Sequence, residues 1–145
     1  DVIAGVATAG IPQGALVADN LQKPFIYVRS KPKSHGMKNM IEGQLEDHKK
    51  IILIEDLIST GGSSIKAVEA LREKNAEILC VISIFSYGFK ISVENFEKAQ
   101  CNSKSLFDYD DLIKVALDNK YISESDVDSL REWRLDPGKW GEEFL

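Results

Sequence analysis

No apolar run in this sequence approaches the ~18–20 residues that span a bilayer, and no segment has the layout of a secretory signal. The expectation is a cytoplasmic protein that does not engage a membrane. Cysteine is scarce. Cys80 and Cys101 lie far apart, with no Cys or His neighbour at metal-ligand spacing. That argues against a disulfide scaffold and a zinc site, and reads as a chain kept in a reducing compartment, with Cys80 inside an apolar run as a core residue. Positive charge is also short: 18 Lys and Arg stand against 23 Asp and Glu, for a net charge of −5. A general nucleic-acid-binding surface is therefore not expected. Repeats, low-complexity tracts and a domain linker are all missing, so residues 1–145 read as one domain. An initiator Met is missing too, and residues 2–5 already read as a strand. The expectation is a chain whose N-terminal portion has been removed.

What is present is 145 residues, 43% of them hydrophobic, enough for one core. Apolar runs at 2–5, 24–28, 50–55 and 77–85 read as strands. Between them, helices are expected over 12–22, with Pro12 in the first turn and Leu16, Val17 and Leu21 facing inward, and over 63–74, with Ile65, Val68 and Leu71 inward. Alternating strands and helices imply an α/β fold with a mostly parallel sheet and right-handed crossovers. Residues 29–48 are polar and basic, with little periodicity, as in a functional lid. Further on, 93–99 looks helical and Leu106-Phe107 reads as a short edge strand. Asp108 can cap a helix to about 119, with Leu112, Ile113, Ala116 and Leu117 inside; Ser123 can cap another over 124–133.

The most informative segment is Ile51-Ile52-Leu53-Ile54-Glu55-Asp56-Leu57-Ile58-Ser59-Thr60-Gly61-Gly62-Ser63-Ser64. A buried parallel strand has this continuous apolar look. It runs into two carboxylates, a small-residue turn and a helix. Open α/β sheets bind ligands just beyond the carboxyl ends of their strands. The turn offers backbone N–H groups and hydroxyls that suit a phosphate at a helix N-terminus. The carboxylates would repel that phosphate, so they are expected to face something electropositive or sugar hydroxyls. Neither a G-x-G-x-x-G nor a G-x-x-x-x-G-K-[ST] pattern is present, so this is neither a dinucleotide fingerprint nor a P-loop.

Two other clusters belong to the same reading. Arg29-Ser30-Lys31-Pro32-Lys33-Ser34-His35-Gly36 concentrates three cations and an imidazole after a strand, in an otherwise acidic chain. Its plain reading is a solvated loop; its functional reading is a mobile partner for a polyphosphate. Gly5-Val6-Ala7-Thr8-Ala9-Gly10-Ile11-Pro12 is either a tight strand-to-helix turn or a second phosphate contact made by backbone amides.

Together these elements resemble the type I phosphoribosyltransferases, whose site for phosphoribosyl pyrophosphate (PRPP) looks like the acidic pair followed by Ser-Thr-Gly-Gly-Ser. The basic loop, the 5–12 turn and Ser86-Tyr87-Gly88-Phe89 narrow the likeness to the orotate phosphoribosyltransferases, and it runs on through Trp133 to Trp140. The resemblance implies an open, mostly parallel twisted sheet flanked by helices, with further C-terminal helices. It implies transfer of the phosphoribosyl group from PRPP to orotate with Mg²⁺, giving orotidine 5′-monophosphate and pyrophosphate in pyrimidine biosynthesis. By position, Arg29, Lys33 and His35 would bind the pyrophosphate side of PRPP, with Lys31 a weaker candidate. Glu55 and Asp56 would hold the ribose hydroxyls, with Asp56 and Lys33 as the catalytic pair. Leu57, Ile58, Ser59, Thr60, Gly61, Gly62 and Ser63 would complete the PRPP site, and Ser59 would also contact orotate. Mg²⁺ would be held mainly through PRPP, and a homodimer would share the loop containing Arg29 and His35 between subunits.

The chain departs from the family in three ways. Ala9 stands where some relatives carry Lys. No Arg occurs between Arg72 and Arg131, which leaves the orotate carboxylate without an assigned partner. The family's N-terminal hood over the base is absent from the chain, so a fragment that keeps the PRPP site without full activity is one outcome. The alternatives are transfer to a purine or another pyrimidine, and a non-catalytic PRPP-sensing module.

Overall fold

A computed structural model describes residues 1–29, 40–46 and 49–138. Its elements, in chain order, are β1 (Val2–Val6), α1 (Gly10–Asn20), β2 (Phe25–Val28), β3 (Ile41–Glu42), β4 (Lys50–Ile58), α2 (Gly62–Arg72), β5 (Glu77–Ser86), α3 (Lys90–Lys98), β6 (Ser103–Asp108), α4 (Tyr109–Asp118) and α5 (Glu124–Leu135). They form one six-stranded sheet in the order β3-β2-β1-β4-β5-β6. Every pairing is parallel except β2 with β3. The strand order reverses direction between β1 and β4, the switch point where such sheets open a crevice for ligands.

Both faces of the central strands are covered, which is why their sequences lack polar alternation. On one face Val2, Ala4, Ile26, Val28, Ile51, Leu53 and Val81 pack with Ala67, Val68 and Leu71 of α2 and Phe96 of α3. On the other, Ile3 and Ile54 pack with Ala18 of α1. No helix among the described residues is long and apolar enough to cross a membrane. Cys101 belongs to the core and Cys80 is half-buried; burial pushes both thiols above their ordinary range.

The inward face of α1 corrects the expectation. Leu16 and Leu21 are 65% and 57% exposed, while Gly10, Gly14 and Ala18 are buried, with Val17 half-buried beside them. Small residues at four-residue spacing let the helix axis lie close to the sheet. A Cβ at Gly10 would collide with the Ile54 carbonyl oxygen, and at Gly14 it would lie 2.8 Å from the Phe25 ring. A leucine stripe would hold the helix further off. Other boundaries differ by less. The 29–48 stretch carries β3, tied by Arg29 N–H to the Met40 carbonyl at 2.8 Å. α3 starts at Lys90 and not at 93, and β6 is six residues long rather than two. In α4 the buried residues are Tyr109 and Ile113, with Leu112 half exposed. Asp108 caps α4 as expected, its carboxylate accepting from the N–H groups of Asp110 and Asp111. Ser123 is likewise the N-cap of α5.

Candidate functional site at the carboxyl end of the sheet

The β1/β4 ladder ends at Gly5 opposite Ile54, whereas the β4/β5 ladder continues to Ile58 opposite Ser86. Glu55 and Asp56 therefore both lie inside β4, which runs on to Ile58, whereas the expected 50–55 strand ended at Glu55 and left Asp56 beyond it. They sit beyond the last rung shared with β1, at the switch point. The 7–9 turn leads from β1 into α1 beside them. Because Gly10 has no side chain, the start of α1 rests on the β4 backbone at Ile54 and Glu55. That close approach brings the two candidate phosphate turns to one crevice. The Ala7–Thr8 peptide in the first turn is cis.

The second turn is built for close backbone approach. Gly61, the N-cap of α2, has φ +79°, and a Cβ there would lie 2.8 Å from the Phe96 ring. Glycine alone meets both demands cheaply. Asn95 of α3 donates to the Thr60 carbonyl at 3.0 Å and holds the turn from below. Ser59 and Gly62 are half-buried, and Thr60 and Ser63 are exposed, so the turn presents its edge to solvent at the helix N-terminus, an anion-binding arrangement. Ile58 is committed to the core, and Leu57 is partly exposed. Of the PRPP-site residues expected in this stretch, Ile58 is thus available to a ligand only through its backbone.

Glu55 is 4% exposed. Its Oε1 accepts from the Asp56 N–H at 3.3 Å; its Oε2 accepts from the Ser63 and Ser64 hydroxyls at 3.4 and 3.1 Å. Burial, reinforced by a hydrogen bond with the Asp56 carboxylate, raises its carboxyl to about 7, against the opposing pull of the Ser64 hydroxyl. Asp56 is half-buried. The two acids therefore differ: Asp56 has access to the crevice, and Glu55 is turned onto the first turn of α2. Ser64 was missed by sequence reading. Its only signal was its place beside Ser63.

Arg29, at the end of β2, pairs with Glu42 of β3 at 3.4 Å. Lys31, Lys33 and His35 lie outside the described residues. At the β5 exit, Tyr87 and Phe89 stack at 5.2 Å and pack edge-on against Trp133 of α5. Arg134 bonds Asp110 at 2.6 Å, lies over the Tyr109 ring, and reaches Gly88, where a Cβ would be 2.6 Å from its Nη2. A cavity of about 560 Å³ opens beside Thr60, lined by Phe89, Lys90, Ile91, Glu94 and Arg134 among others. No group of three or more His, Cys, Asp or Glu among the described residues could hold a metal ion.

Comparison with known proteins agrees with this geometry. The phosphoribosyl transferase domain model matches residues 1–125. The orotate phosphoribosyltransferase of Cytophaga hutchinsonii is 56% identical over 140 residues, covering 97% of this chain and 67% of the relative. The chain thus spans about two thirds of that protein's length. Among solved structures, the Aeropyrum pernix orotate phosphoribosyltransferase superposes with a TM-score of 0.72 at 24% identity, covering 84% of this chain and 66% of that one. An adenine phosphoribosyltransferase from Leishmania donovani gives 0.62 at 21% identity, covering 76% and 57%. At those identities the structural likeness establishes the fold. The domain match, together with the Cytophaga relative, places this chain in the phosphoribosyltransferase family, among the orotate phosphoribosyltransferases.

Proposed function

We propose that the protein transfers the phosphoribosyl group of PRPP to orotate, releasing pyrophosphate, in the cytoplasm. The observation that carries the reading is the pairing, at one switch-point crevice, of a half-buried Asp56 with the Gly61-capped turn into α2. Identity of 56% to a named orotate enzyme favours orotate over adenine, since the adenine enzyme shares the fold at 21% identity.

Charge dictates the roles. Breaking the bond from ribose C1 to pyrophosphate leaves positive charge on the sugar and negative charge on the leaving group. Asp56 is signed to stabilise the ribose cation and to bind its hydroxyls. Thr60, Gly61, Gly62 and Ser63 offer amides and hydroxyls to the 5′-phosphate, and the 7–9 turn faces the pyrophosphate. Ser59 would meet the base, as the family resemblance implies. Lys90, paired with Glu94 at 3.8 Å, and Arg134, paired with Asp110 at 2.6 Å, stand beside the β5 exit and would meet the orotate carboxylate by exchanging partners. No cluster of three or more metal-ligating side chains stands among the described residues, so Mg²⁺ would be carried chiefly by PRPP oxygens, as is usual for this ion with phosphate substrates; bound there, it would neutralise charge on the pyrophosphate. The basic loop with Lys33 and His35 would meet the same leaving group, shared across a homodimer in this reading. Arg29, paired with Glu42, would join it by exchanging partners.

Lys33→Ala should slow turnover by about 10²-fold while leaving the melting temperature unchanged, measured by steady-state kinetics and thermal unfolding. Wild-type rates in that variant would make the loop a solvated surface. The function itself is tested by loss of orotate absorbance with PRPP and Mg²⁺.

A further inference from the structure

Glu55 is the one charged residue among the buried described residues, and its buried partner is Ser64, 1% exposed. Serines in a first helical turn ordinarily bond their own helix or solvent. Here the hydroxyls of Ser63 and Ser64 both leave the helix and converge on one oxygen, Oε2 of Glu55, across the strand-to-helix turn. The two contacts are unequal. Ser64, at 3.1 Å, is sealed from solvent; Ser63, at 3.4 Å, is exposed and stands at the mouth of the turn. A phosphate seated on the α2 N-terminus would compete with Glu55 for the Ser63 hydroxyl and gain a charge-assisted bond. It could not reach the Ser64 hydroxyl without opening the core.

From this asymmetry we infer that Ser64 is a positioning residue for the phosphate cradle. It pins the Glu55 carboxyl beneath the first turn of α2, which frees Ser63 to transfer its hydroxyl from Glu55 to an incoming phosphate. Without Ser64, Glu55 keeps Ser63 as its remaining side-chain hydroxyl donor. The cradle then loses a ligand, and a buried carboxyl under-supplied with donors sits next to the phosphate. The inference rests on the reading of the 59–63 turn as the 5′-phosphate site, and its effect should be confined to that end of PRPP.

The test uses ribose 5-phosphate and inorganic pyrophosphate as separate probes, with binding measured calorimetrically for Ser64→Thr and Ser64→Val. These two side chains have the same shape, and only threonine keeps a hydroxyl. Ser64→Val should weaken ribose 5-phosphate binding about tenfold relative to Ser64→Thr, with pyrophosphate affinity equal in both. Equal ribose 5-phosphate affinities, or a matching loss for pyrophosphate, would overturn the inference. If the added methyl groups prevent folding, Ser64→Ala decides: a similar selective loss supports it, and wild-type binding overturns it. Neither probe involves the base, so a protein inactive on orotate would still give a clear answer here.

Discussion

Replacing Glu55 with glutamine should flatten the dependence of stability on pH between 5 and 8. The carboxyl is buried and titrates near 7 in the folded protein, against 4.5 as the ordinary value. Between those values the folded state holds a proton that the unfolded chain has released. This group's stabilising contribution is therefore complete below pH 4.5 and is lost as pH rises through 7. From pH 5 to pH 8 the loss comes to about 2–3 kcal/mol. Glutamine keeps the shape and does not titrate. Urea unfolding at the two pH values should show the variant gaining about 2–3 kcal/mol on wild type between them. Parallel pH profiles would mean that Glu55 is ionised in the folded protein throughout the range, against its burial beside Asp56.

Asp56→Asn should be the most damaging change to catalysis that spares the fold. Asp56 stands past the last β1/β4 rung and is half-buried with access to the crevice. Asparagine retains its size and hydrogen-bonding reach to ribose hydroxyls and loses only the charge. If the carboxylate acts on the developing ribose cation, the loss falls on kcat, by roughly 10²–10³ or about 3–4 kcal/mol, with a small change in KM for PRPP. A variant that loses affinity for PRPP at unchanged kcat would reduce Asp56 to a ground-state ligand.

Much of the fold was legible because the central strands are buried on both faces, and continuous runs such as residues 51–54 carry that signature. The turn at Gly61 was legible for a local reason, since its positive φ calls for glycine, while the Phe96 ring that also excludes a Cβ there comes from α3. Other features were hidden by long-range causes. Apolar spacing in α1 pointed to Leu16 and Leu21, but the helix packs through Gly10, Gly14 and Ala18, whose small size is the packing device. β3 has two residues and exists only through its pairing with β2. The unlike surroundings of Glu55 and Asp56 could not be separated in sequence, since neighbouring acids look alike until burial and the Ser64 hydroxyl distinguish them. Arg134 reaches Gly88 from 46 positions away, a contact no local pattern records.

Transfer from PRPP to orotate in this crevice is open to a single assay. The most direct test supplies the protein with PRPP, Mg²⁺ and either orotate, adenine or uracil, and follows the absorbance of each base alongside pyrophosphate release. Orotate should be consumed with one pyrophosphate per base, and adenine and uracil should be left unchanged. Turnover of adenine or uracil with orotate untouched would contradict it.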